Sequence, residues 1–98
     1  MRLYVIRRPS GWRTPEELQV AAGRSKLVGD EQMPADIRWI RSYVVREADG
    51  GLGTFCIYQA SGADKIREHA ARADIPATDI YEVAETVVVR PDPVPVAA

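Results

Sequence analysis

His69 is the single histidine of the chain. Its ordinary pKa suits it to act as a general base, or as a neutral metal ligand, at neutral pH. The bland alternative is a half-exposed helical histidine bonded to water or to a neighbouring carboxylate, and one histidine completes no spaced ligand motif. Cys56, the single cysteine, would be a soft ligand if a positive neighbour or a metal lowered its pKa. Otherwise it is a small buried hydrophobe. Glu82, between Tyr81 and Val83, and Arg41, between Trp39 and Tyr43, are charges inside apolar strands. Each reaches water at a sheet edge or is buried and paired, and if both point inward they are natural partners, because an unpaired buried charge is costly. Trp39, Tyr43 and Tyr58 are amphipathic aromatics of the kind that line small-molecule pockets and equally furnish plain cores. No HExxH, GxSxG, CxxC, glycine-rich phosphate loop or paired-carboxylate spacing is present.

The elements that must position these side chains centre on residues 37–59, two apolar and aromatic arms broken by DGGLG. Asp49, Gly50 and Gly51 supply turn chemistry. Strand alternation puts Ile37, Trp39, Arg41, Tyr43 and Val45 on one face of the first arm, and Thr54, Cys56 and Tyr58 on one face of the second. Both faces of each arm carry apolar residues. A shorter strand is expected over residues 3–7, ended by Pro9, Ser10 and Gly11.

Two helices are expected. Thr14 is an N-cap, Pro15 suits the first helical position, and Glu17 completes a capping box. That helix runs to about Val28, with Leu18, Ala21, Ala22 and Ser25 on one side and Gly29 and Asp30 closing it. The second opens at Ser61 as N-cap, with Asp64 near the exposed amides. Ala63, Ile66, Ala70 and Ala73 form its buried stripe, and His69 lies on the edge of that stripe. After Pro76, residues 79–89 read as a last strand, and residues 90–98, with their prolines, as an extended or disordered tail.

The order strand, helix, strand, strand, helix, strand is the split βαβ pattern of the α+β ferredoxin-like fold, a four-stranded antiparallel sheet with two helices on one face. Residues 1–89 would form this one domain. Strands with two apolar faces call for cover on the open side, so a homodimer packing sheet on sheet into a dimeric α+β barrel is expected. Phe55, Ile57, Val83 and Val87 then belong to core or interface.

Composition narrows the partners. There are 13 basic and 14 acidic side chains, a formal charge of -1, and no long run of one sign, so neither nucleic acid nor a membrane is an expected partner. The N-terminus lacks signal-peptide features and no apolar stretch is long enough to span a bilayer. Together with the lone cysteine, this makes the cytoplasm the expected location.

In order and spacing, TPEEL, IRWIRSYVV, TFCIYQA, IREHAARADIP and IYEV resemble a family of small bacterial proteins of about this length, formerly a domain of unknown function and now often labelled nickel-binding. The resemblance runs from Leu3 to about Val88. It implies a ferredoxin-like subunit that dimerises as an α+β barrel, with recurring positions at Trp39, Ser42, Tyr43, Cys56, Tyr58, His69 and Glu82. It also implies Ni(II) or another divalent transition metal as cofactor. Since nickel needs several ligands, His69 would join Cys56 or Glu82, or a second His69 across a dimer.

Two functions follow as expectations. One is a metal-binding dimer, with nickel the metal that the resemblance implies and His69 as first ligand. The other is an enzyme or carrier for a small hydrophobic molecule, of oxygenase, haem-binding, isomerase or cyclase type. There Trp39, Tyr43 and Tyr58 would shape a pocket between sheet and helices, and His69 would be general base or haem ligand. Haem ranks behind a divalent metal as cofactor.

Overall fold

The computed structural model describes residues 1–95. Its elements are β1 (Arg2–Trp12), α1 (Pro15–Leu27), β2 (Ile37–Arg46), β3 (Leu52–Ala60), α2 (Ala63–Ala73) and β4 (Asp79–Glu82). All neighbouring strands pair antiparallel in the order β2-β3-β1-β4, so β1 and β3 are central, as the ferredoxin-like pattern requires. Tyr4, Ile6, Cys56, Tyr58 and Ala60 are buried on the face under the helices, where they meet Val28, Ile66 and Ala73. Among the described residues no helix is long and apolar enough to cross a membrane.

β1 does not stop at Pro9. It bulges between Arg8 and Trp12, with Ser10 at φ 48°, and then pairs again with β3 at Leu52. The proline's missing N–H is tolerated because it falls in this break, beyond the Arg7 pairing where β4 begins. The extension brings Arg8 and Trp12 into the working part of the molecule.

α1 starts as its sequence dictates, with Thr14 Oγ1 accepting from the Glu17 amide at 3.2 Å. Glu17 returns its carboxylate to the Arg13 amide at 2.8 Å, one residue before the N-cap. The helix does not close at Gly29. It widens into a π-helical turn, Val28–Gln32, whose last bond joins the Met33 amide to the Val28 carbonyl. Such turns are uncommon and tend to sit beside functional sites. Gly29 in this turn faces Ile37 and the imidazole of His69.

α2 is capped by Gly62 without a side-chain bond, because Ser61 turns its hydroxyl to Asp36 at 2.7 Å. Its stripe of Ile66, Ala70 and Ala73 is buried, and His69 lies fully inside it rather than at its edge. Asp74 ends the helix in the left-handed conformation at φ 54°.

β4 is shorter than expected. Glu82 already pairs with Tyr4 and the Val83 amide with the Leu3 carbonyl, so β1 has almost no strand left to pair beyond Val83. The following residues leave the sheet, with Val87, Val88 and Val89 exposed. Asp92 is tied to Arg41 at 2.7 Å and to Tyr43. Of the tail expected at residues 90–98, residues 96–98 lie outside the described residues.

Candidate ligand site between the first helix and the sheet

A bulge in β2 decides which side chains meet. Trp39 sits opposite Tyr58, but Arg41 sits opposite Ile57, so Ile40 is an extra residue on β2. An extra residue reverses the alternation. Trp39 therefore faces the helices with Tyr58, whereas Tyr43 pairs across from Phe55 on the other face and is 45% exposed. The expectation that Trp39 and Tyr43 share a face does not hold beyond the bulge. Ser42 and Val44 take the helix side in their place.

On that side a cavity of about 280 Å³ opens between α1 and the sheet. Its size has a simple cause: small residues face small residues. Ala21, Ala22 and Ser25 of α1 look onto Ser42, Thr54 and Cys56. Trp39 and Tyr58 form one wall, their rings stacked at 6.1 Å and 17°, and the Trp39 indole N–H donates to Ser42 Oγ at 2.8 Å. Trp12 contributes a further wall, so both tryptophans of the chain line this one space.

The polar groups are ordered around Tyr58. Its hydroxyl bonds Ser25 Oγ at 2.9 Å, and its ring meets the His69 imidazole edge-on at 5.4 Å. His69 stands behind Tyr58, outside the cavity wall. The His69 Nε2 atom is 2.9 Å from the Ser25 carbonyl oxygen. A carbonyl only accepts, so this contact assigns the ring proton to Nε2 and leaves the Nδ1 lone pair bare. Burial holds the His69 pKa below its ordinary value; the Ser25 carbonyl pulls it up and the Arg8 cation presses it down. Burial likewise pushes the Tyr58 phenol up, against the opposing influences of Ser25 and Arg8. Tyr58 is therefore a neutral hydrogen-bonding group at physiological pH. Cys56 lines the cavity and donates its thiol proton to Thr54 Oγ1 at 3.3 Å.

Arg8 was not legible as a site residue from the sequence. It is 1% exposed, its guanidinium carbon lies 5.6 Å from the centre of the Tyr58 ring, and it lines the cavity. The available signal was parity: Tyr4, Ile6 and Arg8 alternate onto one face of β1, which places a charge in the same row as two core residues.

The proposed metal donors are spread apart. Glu82 lies on the edge strand, half exposed, paired with Arg2 at 3.0 Å. Cys56 faces the cavity and His69 lies behind Tyr58. Among the described residues no group of three or more His, Cys, Asp or Glu side chains could hold a metal ion. One bare imidazole nitrogen without neighbouring donors does not make a nickel site within one protomer.

The sheet order, the two helices on one face and the cleft beneath α1 define a ferredoxin-like α+β protein with a cavity between helix and sheet. The family described as nickel responsive protein SCO4226-like matches residues 4–83, and the chain belongs to that family. It is similar to the crystal structure of SCO4226 from Streptomyces coelicolor A3(2), with a TM-score of 0.71, covering 87% of this chain and 99% of that one. Identity between the two is 15%, so the likeness is one of fold. No curated protein matches the chain.

Proposed function

We propose that this protein binds a small hydrophobic molecule in the cavity between α1 and the sheet, with Trp39 and Tyr58 as its aromatic wall. The observation that carries this reading is the cavity itself, about 280 Å³ with small residues on both sides and both tryptophans at its boundary. Apolar enclosure with a few convergent polar groups is the usual form of a small-molecule site. His69 acts through Tyr58 and Ser25, fixing the wall rather than touching the ligand. A neutral probe, 3-phenyl-1-propanol, tests the reading: tryptophan emission should shift on titration, and Ala22→Phe, which fills the cavity, should abolish the shift. An unchanged emission spectrum in the wild type would refute it.

Nickel binding is the second reading, favoured by the description of the family. Because the donors of one protomer are dispersed, an ion held between copies of the chain would draw on Glu82 at the surface, whereas His69 and Cys56, buried within the protomer, would need the protein to open. Calorimetric titration of nickel(II) into wild type and His69→Gln decides it; identical stoichiometry and affinity would remove His69 from any such site.

A further inference from the structure

Arg8 holds a full positive charge inside the protein, yet none of Nε, Nη1 and Nη2 has a hydrogen-bond partner among the described residues. Its neighbour Arg7, on the opposite face of β1, shows the usual solution, with Glu47 at 2.7 Å. No acidic side chain lines the cavity that Arg8 faces. A buried cation with unused donors is costly unless an anion supplies the missing acceptors, and a guanidinium offers a planar fork that fits a carboxylate with two parallel bonds.

We infer that the cavity takes a small aromatic carboxylate, its acid group on Arg8 and its ring against Trp39 and Tyr58. This rests on the small-molecule reading and adds the ligand's charge. Thr54 and Ser42 line the same cavity, and Ala21 and Ala22 leave room for an apolar body. Charge complementarity favours an anion: a cationic ligand would meet Arg8, and a neutral one, though it fits the space, would leave its donors unused.

A matched pair tests this on the wild-type protein by calorimetry: 3-phenylpropionate against 3-phenylpropanamide at neutral pH. The acid should bind at least about 10-fold more tightly, the usual scale for a hydrogen bond to a charged group. Arg8→Gln should erase that difference, and the wild-type comparison stands should the variant not fold. Equal affinity for acid and amide would overturn the role of Arg8 while leaving the cavity as a neutral site. No binding of either would overturn the small-molecule reading as well. Displacement of the acid by an equal concentration of inorganic phosphate would reduce the site to a bare anion pocket and overturn the aromatic part.

Discussion

The Nε2 atom of His69 lies 2.9 Å from the carbonyl oxygen of Ser25, which ties α2 to α1 through a neutral, fully buried imidazole. Its pKa is lowered mainly by burial, so the unfolded chain accepts a proton that the folded protein refuses. The stabilisation is therefore complete above the ordinary histidine pKa of about 6.5 and is lost as pH falls below it, until the folded-state pKa is reached. Urea unfolding across this window should show stability falling by at most about 1.4 kcal/mol per pH unit. His69→Gln should flatten that dependence, since glutamine can still donate to the Ser25 carbonyl but does not titrate. An equally steep loss in the variant would assign the effect to another group.

Ser25 also holds the Tyr58 hydroxyl at 2.9 Å in a buried setting. Ser25→Ala strands that hydroxyl and should cost about 1–3 kcal/mol, whereas Tyr58→Phe removes the hydroxyl itself and should cost nearer 1 kcal/mol. The double variant should then be less destabilised than the sum of the two. Strict additivity in denaturant melts would show that the two groups do not interact.

Much of this architecture is legible in the residues themselves. The capping residues Thr14, Pro15 and Glu17 announced α1, the alternation of Thr54, Cys56 and Tyr58 gave the buried face of β3, and the element order gave the ferredoxin-like sheet. What escaped was local irregularity. A bulge at Ile40 adds one residue and turns Tyr43 away from Trp39; nothing in IRWIRSY marks the position, since both parities carry apolar side chains. Pro9, Ser10 and Gly11 carry ordinary strand-ending chemistry, yet pairing with β3 resumes at Trp12 because a central strand has a partner waiting. Arg8 stands just before the same strand-ending signal and past the expected strand end, yet it pairs with Thr54 of β3. The dispersal of His69, Cys56 and Glu82 is a tertiary fact that spacing along the chain does not encode.

Two glycines should respond to alanine with opposite signs. At Gly53 a Cβ would meet Glu47 Oε1 and would stand 2.8 Å from the Arg8 carbonyl oxygen, which belongs to backbone and has little freedom to yield. Gly53→Ala should destabilise by about 1–3 kcal/mol through overpacking. At Gly23, inside α1, a Cβ meets nothing within 4 Å. Gly23→Ala should stabilise by up to about 1 kcal/mol from helix propensity alone. Denaturant midpoints for the pair, measured together, check both; a stabilised Gly53→Ala would show that the Arg7–Glu47 pair over it yields freely.

The face of the sheet away from the helices is the expected homodimer surface. Cross-strand pairing sets Tyr81, Val5, Ile57 and Arg41 in one row there, and Arg7, Phe55 and Tyr43 in the next. Phe55 remains 40% exposed although the Arg7 guanidinium lies 4.5 Å from its ring centre, and Tyr81 is 59% exposed. The chain beyond β4 reaches from one edge of the sheet to Arg41 and Tyr43 at the other, leaving Val87, Val88 and Val89 as further exposed apolar surface. Contiguous apolar area of this kind is unusual on a monomer. Sedimentation equilibrium of the wild type should therefore give a dimer, and Phe55→Glu should shift it toward monomer by replacing apolar contact area with a carboxylate that must be desolvated at the contact. Because Phe55 faces away from the cavity, the variant should keep its affinity for 3-phenyl-1-propanol. A wild type that sediments as a monomer at high concentration would exclude this surface as a self-association site, and a dimer indifferent to Phe55→Glu would place the contact elsewhere.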